Sequence, residues 1–193
     1  MIIGITGKYC AGKNFIASLI EKRGFAVLDV DKLGYLALES EKETIFAQFG
    51  ADLKNPGGSL NRRLLGQLVF GKPEKLAALE AIVHPAVNIM TEKWIESQGG
   101  SCVINAALLH RSSVFNRLDK IIIVTAPYFI RFLRARRRDM LPCSEIYRRF
   151  NSQKNFNSQY FTLNAEIYRV GNSGFPGTKK PERRIDEIIE GFK

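Results

Sequence analysis

Cysteine is scarce in this chain, and its placement excludes two common architectures. Only Cys10, Cys102 and Cys143 occur among 193 residues. An odd number of widely separated thiols without metal-ligand spacing argues against both a disulfide framework and a zinc site. Reduced thiols make the cytoplasm the expected compartment. Long apolar runs are also missing: no stretch approaches the ~20 residues that a membrane-spanning helix requires. The amino terminus carries no basic leader followed by an apolar core, so a soluble protein is expected. Neither a linker, an internal repeat nor a low-complexity segment interrupts the chain. Its residues, 45% hydrophobic and 25% charged, are therefore expected to form one compact domain, 1–193, with a full core.

Acidic residues are in deficit, with 19 Asp and Glu against 29 Lys and Arg, a formal charge of +10. Such a balance suits nucleic acid, an acidic membrane or a small polyphosphate ligand. Distribution separates these better than the total. Arg131, Arg134, Arg136, Arg137, Arg138, Arg148 and Arg149 fall in one stretch, with Phe129, Ile130, Phe132 and Leu133 interleaved at helical spacing. The pattern predicts a helix with one basic face, part of which need do no more than keep the protein in solution. Helix-turn-helix and zinc-finger spacings are both absent, which makes nucleic acid the weaker partner.

The richest local signal is at the start. A short apolar run, Ile2-Ile3-Gly4-Ile5-Thr6, leads into Gly7-Lys8-Tyr9-Cys10-Ala11-Gly12-Lys13-Asn14, which matches the phosphate-loop pattern G-x-x-x-x-G-K-[ST] except at its last place. Gly7 and Gly12 let the backbone turn its N–H groups inward without obstruction by a Cβ, and Lys13 adds a mobile positive charge at the β- and γ-phosphates. A helix beginning near Lys13 points its positive end at the same anion. Asn14 stands where Ser or Thr would offer a hydroxyl to Mg²⁺. The competing explanation is an ordinary glycine-containing strand-to-helix turn.

Periodicity predicts strands at Ile2–Thr6, Phe25–Asp29, Cys102–Ala106, Lys120–Thr125 and Ile167–Gly171. Helices are predicted at Asn14–Arg23, closed by Gly24, at Glu41–Phe49, Arg62–Phe70 and Pro73–Glu96, and at Glu182–Phe192. Pro85 is expected to start or kink a helix. Gly57-Gly58 and Gly99-Gly100 read as turns. Strands separated by helices imply an α/β fold with a doubly wound parallel sheet of about five strands. Ligands of such sheets collect beyond the carboxyl ends of the strands. Asp29-Val30-Asp31 lies at one of those ends, where a carboxylate can orient a substrate hydroxyl or accept its proton; Asp31 can equally be a helix N-cap.

The sequence GITGKYCAGKN, then VLDVDKLG, GGSLNRRLLGQLVF and LEAIVHPAV, and finally APYFIRFLRARRRDML with a later Gln153, resembles the dephospho-coenzyme A kinase family over nearly the whole chain. The motifs D-A-D, G-x-L-x-R-x-x-L-x-x-x-V-F and H-P follow in the family's order, a far more specific combination than the phosphate loop alone. The resemblance implies a P-loop kinase core, a helical substrate-side insertion near 32–100 and a mobile lid near 127–154. It also implies ATP-dependent phosphorylation of the 3′-hydroxyl of dephospho-coenzyme A with Mg²⁺, the last step of coenzyme A synthesis.

Position by position, the resemblance implies nucleotide binding by Gly7, Cys10, Ala11, Gly12, Lys13, Asn14 and Phe15, with Asn14 the candidate metal ligand. Asp31 matches the second Asp of D-A-D and would act as general base or hydroxyl-orienting carboxylate, supported by Asp29. Arg62 and His84 fall in the acceptor region, although a histidine ahead of Pro85 on an apolar helix is also what packing alone would produce. Arg134 and Arg138 match lid arginines that close on the ATP phosphates; Arg136 and Arg137 need not share that role. Asn172 matches an asparagine beside the adenine site, and Asn-Ser-Gly is an equally good turn. The chain departs from the family pattern at Asn14 for Ser, Phe15 for Thr, Asn105 for an acidic residue, Tyr35 for arginine, and Ala107 and Arg111 for proline and glutamate. Two alternatives to the kinase follow: a nucleotide-binding homologue with weak or no turnover, and a P-loop kinase for another small acceptor. A basic nucleic-acid-binding protein sharing the fold would instead show steep salt dependence.

Overall fold

The computed structural model describes residues 1–153, 156, 160, 165–174 and 180–191. The chain divides into two compact units, one formed by Met1–Leu28 with Gln98–Lys193 and the other by Asp29–Ser97.

The first unit is built on a sheet of β1 (Ile2–Gly7), β2 (Ala26–Asp29), β3 (Cys102–Asn105), β4 (Lys120–Thr125) and β5 (Glu166–Gly171), in the order β2-β3-β1-β4-β5. β1 pairs in parallel with β3 and β4, and β4 with β5. Ile121, Ile122, Ile123 and Val124 are all buried, so β4 is covered on both faces, as a central parallel strand requires. One of those faces packs on α1 (Lys13–Glu21) and α8 (Pro181–Glu190) through Ile16, Ile20, Ile185 and Ile188. α1 starts one residue before the prediction and stops at Glu21, two before Arg23; Gly24 follows at φ 89°. The expected helix end at Phe192 and the expected lid limit at 154 lie outside the described residues.

The second unit is helical: α2 (Val30–Ser40), α3 (Lys42–Phe49), α4 (Arg62–Val69) and α5, which runs from Pro73 to Gln98 and enters the first unit at its last residue. Its core gathers Ile45, Phe46, Leu53, Leu60, Leu65 and Val69. Periodicity alone missed α2, because Asp31, Lys32 and the poor helix former Gly34 interrupt its first turns. Pro85 starts nothing: α5 continues through it, and the missing N–H leaves the Ala81 carbonyl without its usual i+4 donor.

The basic stretch also differs from its prediction. It forms two helices, α6 (Tyr128–Asp139) and α7 (Cys143–Asn151), broken at Met140 with φ 50° and at Pro142. Phe129 is 63% exposed and Leu133 47%, whereas Arg131 is 7% exposed and Ala135 is fully buried. Arg136, Arg137 and Arg138 are exposed as a basic face requires, but Arg131 lies inside while Phe129 and Leu133 face outward. Among the described residues, no helix is long and apolar enough to cross a membrane.

Gly7, where β1 gives way to the loop, has no room for a side chain. A Cβ there would stand 2.7 Å from the Val124 carbonyl oxygen and 3.1 Å from Val124 Cβ, and the first of these is backbone of a buried neighbouring strand. Gly7→Ala should therefore destabilise the protein by about 1–3 kcal/mol, the usual cost of overpacking. Thermal melting checks this; an unchanged Tm would show that the β1–β4 spacing yields.

Candidate nucleotide site

The segment from Gly7 to Gly12 leaves β1 and turns into α1 with no break. Cys10 adopts φ 60° and Gly12 φ 95°, and the Ala11 amide donates to the Lys8 carbonyl at 2.9 Å. Gly12 is held in this conformation by crowding as well as by φ: a Cβ would fall 2.0 Å from Asn172 Nδ2. The loop thus joins a strand to a helix N-terminus, the setting in which backbone N–H groups can meet an anion.

Outside groups pin it. The Ala11 carbonyl accepts from Asn172 Nδ2 at 3.1 Å and from Arg134 Nη1 at 3.2 Å, while Arg134 Nη2 donates to the Asn172 carbonyl at 2.9 Å. With that carbonyl held by donors from α6 and from the end of β5, the loop cannot flip it towards an anion. Asn172 is buried and its side chain is braced against the loop. Gln153 Oε1 accepts from the Tyr9 amide at 2.7 Å, a second tie from beyond α7.

A cavity of about 450 Å³ is lined by Cys10, Gly12, Arg134, Arg137 and Arg138. Loop backbone and α6 guanidiniums thus face one volume, and Arg137 joins the two arginines singled out from sequence. Arg138 is held by Asp139 through Nε at 2.7 Å and Nη2 at 3.0 Å, and lies 5.3 Å from the Tyr9 ring centre. The Tyr9 hydroxyl donates to Asp139 and accepts from Arg149 Nη1 at 3.3 Å. Burial raises the Tyr9 hydroxyl and the Cys10 thiol above their ordinary pKa, with Arg138 opposing the shift at Cys10. In sequence, Gln153 enters only as part of the family resemblance with no role attached, and Tyr9 and Asp139 carry no signal that marks them as loop anchors.

Asn14, in the first turn of α1, is exposed, and its Oδ1 accepts from Asn105 Nδ2 at 3.2 Å. Asn105 ends β3, is 2% exposed, and its Oδ1 is a buried oxygen with no hydrogen-bond partner among the described residues. Orphaned buried acceptors are uncommon and costly. Neutral amide oxygens therefore stand where the family pattern has a hydroxyl and a carboxylate. Lys13 opens α1 and Phe15 follows on its exposed side. Among the described residues, no group of three His, Cys, Asp or Glu is placed to hold a metal ion.

In the second unit, Asp29 is the N-cap of α2: its Oδ1 accepts from the Asp31 amide at 3.2 Å. The capping role offered for Asp31 therefore belongs to Asp29, and Asp31 sits in the first helical turn with its carboxylate not used as the cap. Arg62, at the start of α4, lies 4.9 Å over the Tyr35 ring, so the tyrosine that replaces the family's arginine holds a different arginine. His84 is half-buried on α5.

The Asp139 carboxylate is held below its ordinary pKa, first by the hydrogen bond from Arg138 and then by Tyr9. A depressed carboxylate stabilises the fold above its unfolded pKa of about 3.9, and that contribution disappears as pH falls through the folded value. Asp139→Asn should lower Tm at pH 7, and the gap from the parent should close as pH is taken below about 4. Melting curves across this range check the sign. A gap that stays constant down to pH 3 would assign the cost to shape and not to charge.

A family model described as dephospho-CoA kinase matches residues 1–166. The dephospho-CoA kinase of Treponema denticola is 31% identical over 184 residues, covering 89% of this chain and 82% of its own length. That of Thermus thermophilus is 36% identical over 154 residues, covering 79% of this chain and 75% of its own. A solved Thermus thermophilus structure superimposes with a TM-score of 0.83 at 30% identity, covering 100% of this chain and 97% of that one. The solved Campylobacter jejuni dephospho-CoA kinase, at 20% identity and a TM-score of 0.67, shares the fold. The loop joining β1 to α1, the parallel sheet beneath it and the match over residues 1–166 place the chain in the dephospho-CoA kinase family.

Proposed function

We propose that this chain transfers the γ-phosphoryl group of ATP to the 3′-hydroxyl of dephospho-coenzyme A. The match of the family model to residues 1–166 carries the reading. The loop and the arginine-lined cavity support the ATP side of this reading. In the transfer, the acceptor oxygen attacks the γ-phosphorus, the bond to the ADP oxygen breaks, and the hydroxyl proton leaves to a carboxylate or to water. Lys13 and the loop amides of Gly12, Lys13, Asn14 and Phe15 hold the donor phosphates. Arg134 is already fixed against the loop, so its charge needs no reorganisation when the transferred group passes between oxygens. Arg138 adds charge if it leaves Asp139 for the nucleotide. Asp31 orients the acceptor hydroxyl and takes its proton, while Asp29 caps the helix that carries it. Arg62 and His84 position the acceptor, and Gly7, Cys10 and Ala11 shape the loop. Asn172 contributes by bracing the loop beside the base.

Mg²⁺ belongs to this reading, and the exposed Asn14 amide oxygen suits it chemically, since the ion takes hard oxygen ligands; Asn105, whose Nδ2 donates to that oxygen, stands beside it. When bound, the ion neutralises charge on the phosphates during transfer. Asn14 would hold the ion through a neutral oxygen, which would leave most of the opposing charge to the nucleotide. The three free cysteines agree with a reducing, cytoplasmic setting, and the acceptor is a small molecule, with no membrane or nucleic acid needed.

ADP release measured over dephospho-coenzyme A, adenosine, nucleoside monophosphates and shikimate tests the assignment. Dephospho-coenzyme A should give the highest kcat/KM, and Lys13→Ala should lose about 3–4 kcal/mol of transition-state stabilisation, some hundreds-fold in rate. Equal turnover of another acceptor would overturn the substrate, and near-normal turnover in the alanine variant would overturn the site.

Asn14→Ser places a compact hydroxyl where the longer amide now stands. The serine variant should reach half-maximal turnover and nucleotide affinity at lower Mg²⁺ than the parent. Superimposable Mg²⁺ titrations would show that position 14 does not touch the ion.

A further inference from the structure

Next to the phosphate loop, but apart from the cavity on the Arg134 side, a second cavity of about 210 Å³ opens at the carboxyl end of β4. Lys8, Thr125, Ala126, Arg131 and Phe156 line it. Arg131 is the residue that makes it unusual. It is 7% exposed, and its guanidinium packs 4.4 Å from the centre of the Phe150 ring. A guanidinium carries five N–H donors. Among the described residues these make one hydrogen bond, from Nη1 to the Tyr9 carbonyl at 3.5 Å, the outer limit of such a contact. No carboxylate among the described residues pairs with it; Asp139, which serves Arg138 and Arg149, does not reach it.

A buried cation without a counter-ion is costly, because desolvation is not offset by an opposite charge. Burial lowers the Arg131 pKa from its ordinary value, yet an arginine stays charged at any physiological pH. The Phe150 face and one carbonyl offset part of that cost. The remainder is what a bound anion would recover, and the second charge lining the same cavity, Lys8, is also positive. At roughly 30 Å³ per liquid water, the volume admits several waters or a tetrahedral oxyanion with some of its hydration.

We propose that Lys8 and Arg131 form a phosphoryl-binding subsite separate from the positions of the ATP phosphates. Arg131 presents its planar fork to two oxygens of the group, and Lys8 supplies a point charge to it. The same chemistry is offered by a phosphoryl group of the acceptor's diphosphate and by free inorganic phosphate. The subsite rests on the geometry around Arg131 and stands whether or not dephospho-coenzyme A is the acceptor.

Titration calorimetry of the full chain, saturated with a non-hydrolysable ATP analogue so that all three donor-phosphate positions are filled, tests this with inorganic phosphate as the probe. Phosphate should bind at one equivalent, and both Arg131→Met and Lys8→Gln should weaken it at least tenfold. Arg131→Met keeps much of the buried volume; if it melts far below the parent, the half-buried Lys8→Gln carries the test alone. A second titration adds dephospho-coenzyme A. Loss of phosphate binding on its addition supports the subsite with the acceptor as the source, and unchanged phosphate binding supports it with free phosphate as the ligand. Failure of phosphate to bind the analogue-saturated protein, or equal binding by the folded variants and the parent, overturns the subsite. Neither result bears on acceptor turnover, which the ADP-release assay measures separately.

Discussion

The Ala11 carbonyl is the point on which the nucleotide site depends. A loop of six residues with two glycines has many conformations, and only those that turn its N–H groups to one side can bind an anion. Two donors hold this carbonyl outward, Asn172 Nδ2 from the end of β5 and Arg134 Nη1 from α6. Both donors also bind each other through the Asn172 carbonyl, so the three groups form a closed unit. Preorganisation of this kind spares the protein from ordering the loop at the moment of binding.

The sheet makes that unit possible. β1 delivers the loop and β5 delivers Asn172, and β4 stands between them in the sheet order, buried on both faces. Register then decides which residues meet, since the Asn172 amide continues the β4–β5 ladder by donating to the Thr125 carbonyl at 2.7 Å. On the other flank, β3 brings Asn105 beside Asn14. The electrostatics follow from these placements: positive groups gather on the α6 side of the loop, and the neutral amides of Asn14 and Asn105 occupy the β3 side.

The helices α6 and α7 show how tertiary packing reassigns charge. A helix surrounded by water turns its arginines outward, but α6 packs its Arg131 and Ala135 side inward with Ile146 and Phe150 of α7. The stem and the flat guanidinium of arginine tolerate an aromatic wall better than a lysine ammonium would. Phe129 and Leu133 are left facing solvent as a result.

Much of this was legible in the linear sequence. The G-x-x-x-x-G-K pattern after an apolar run determined a strand, a tight loop and a helix in that order, because only glycine permits the backbone turn and only a helix start supplies the dipole. Alternating β-rich and amphipathic segments determined an α/β sheet of five strands, and the family's motifs, in order along the chain, identified the family. Periodicity also placed α4, α5 and most of α1 within a few residues. What it could not supply was partnership. That Asp29 and not Asp31 is the cap, that Arg138 is tied to Asp139, that Gln153 reaches the Tyr9 amide, and that Arg131 lies inside were all decided by contacts, the last two between residues more than a hundred positions apart. Composition and spacing report which groups a segment owns; which of them are desolvated, and by what, is settled only when distant segments close on one another and exclude water.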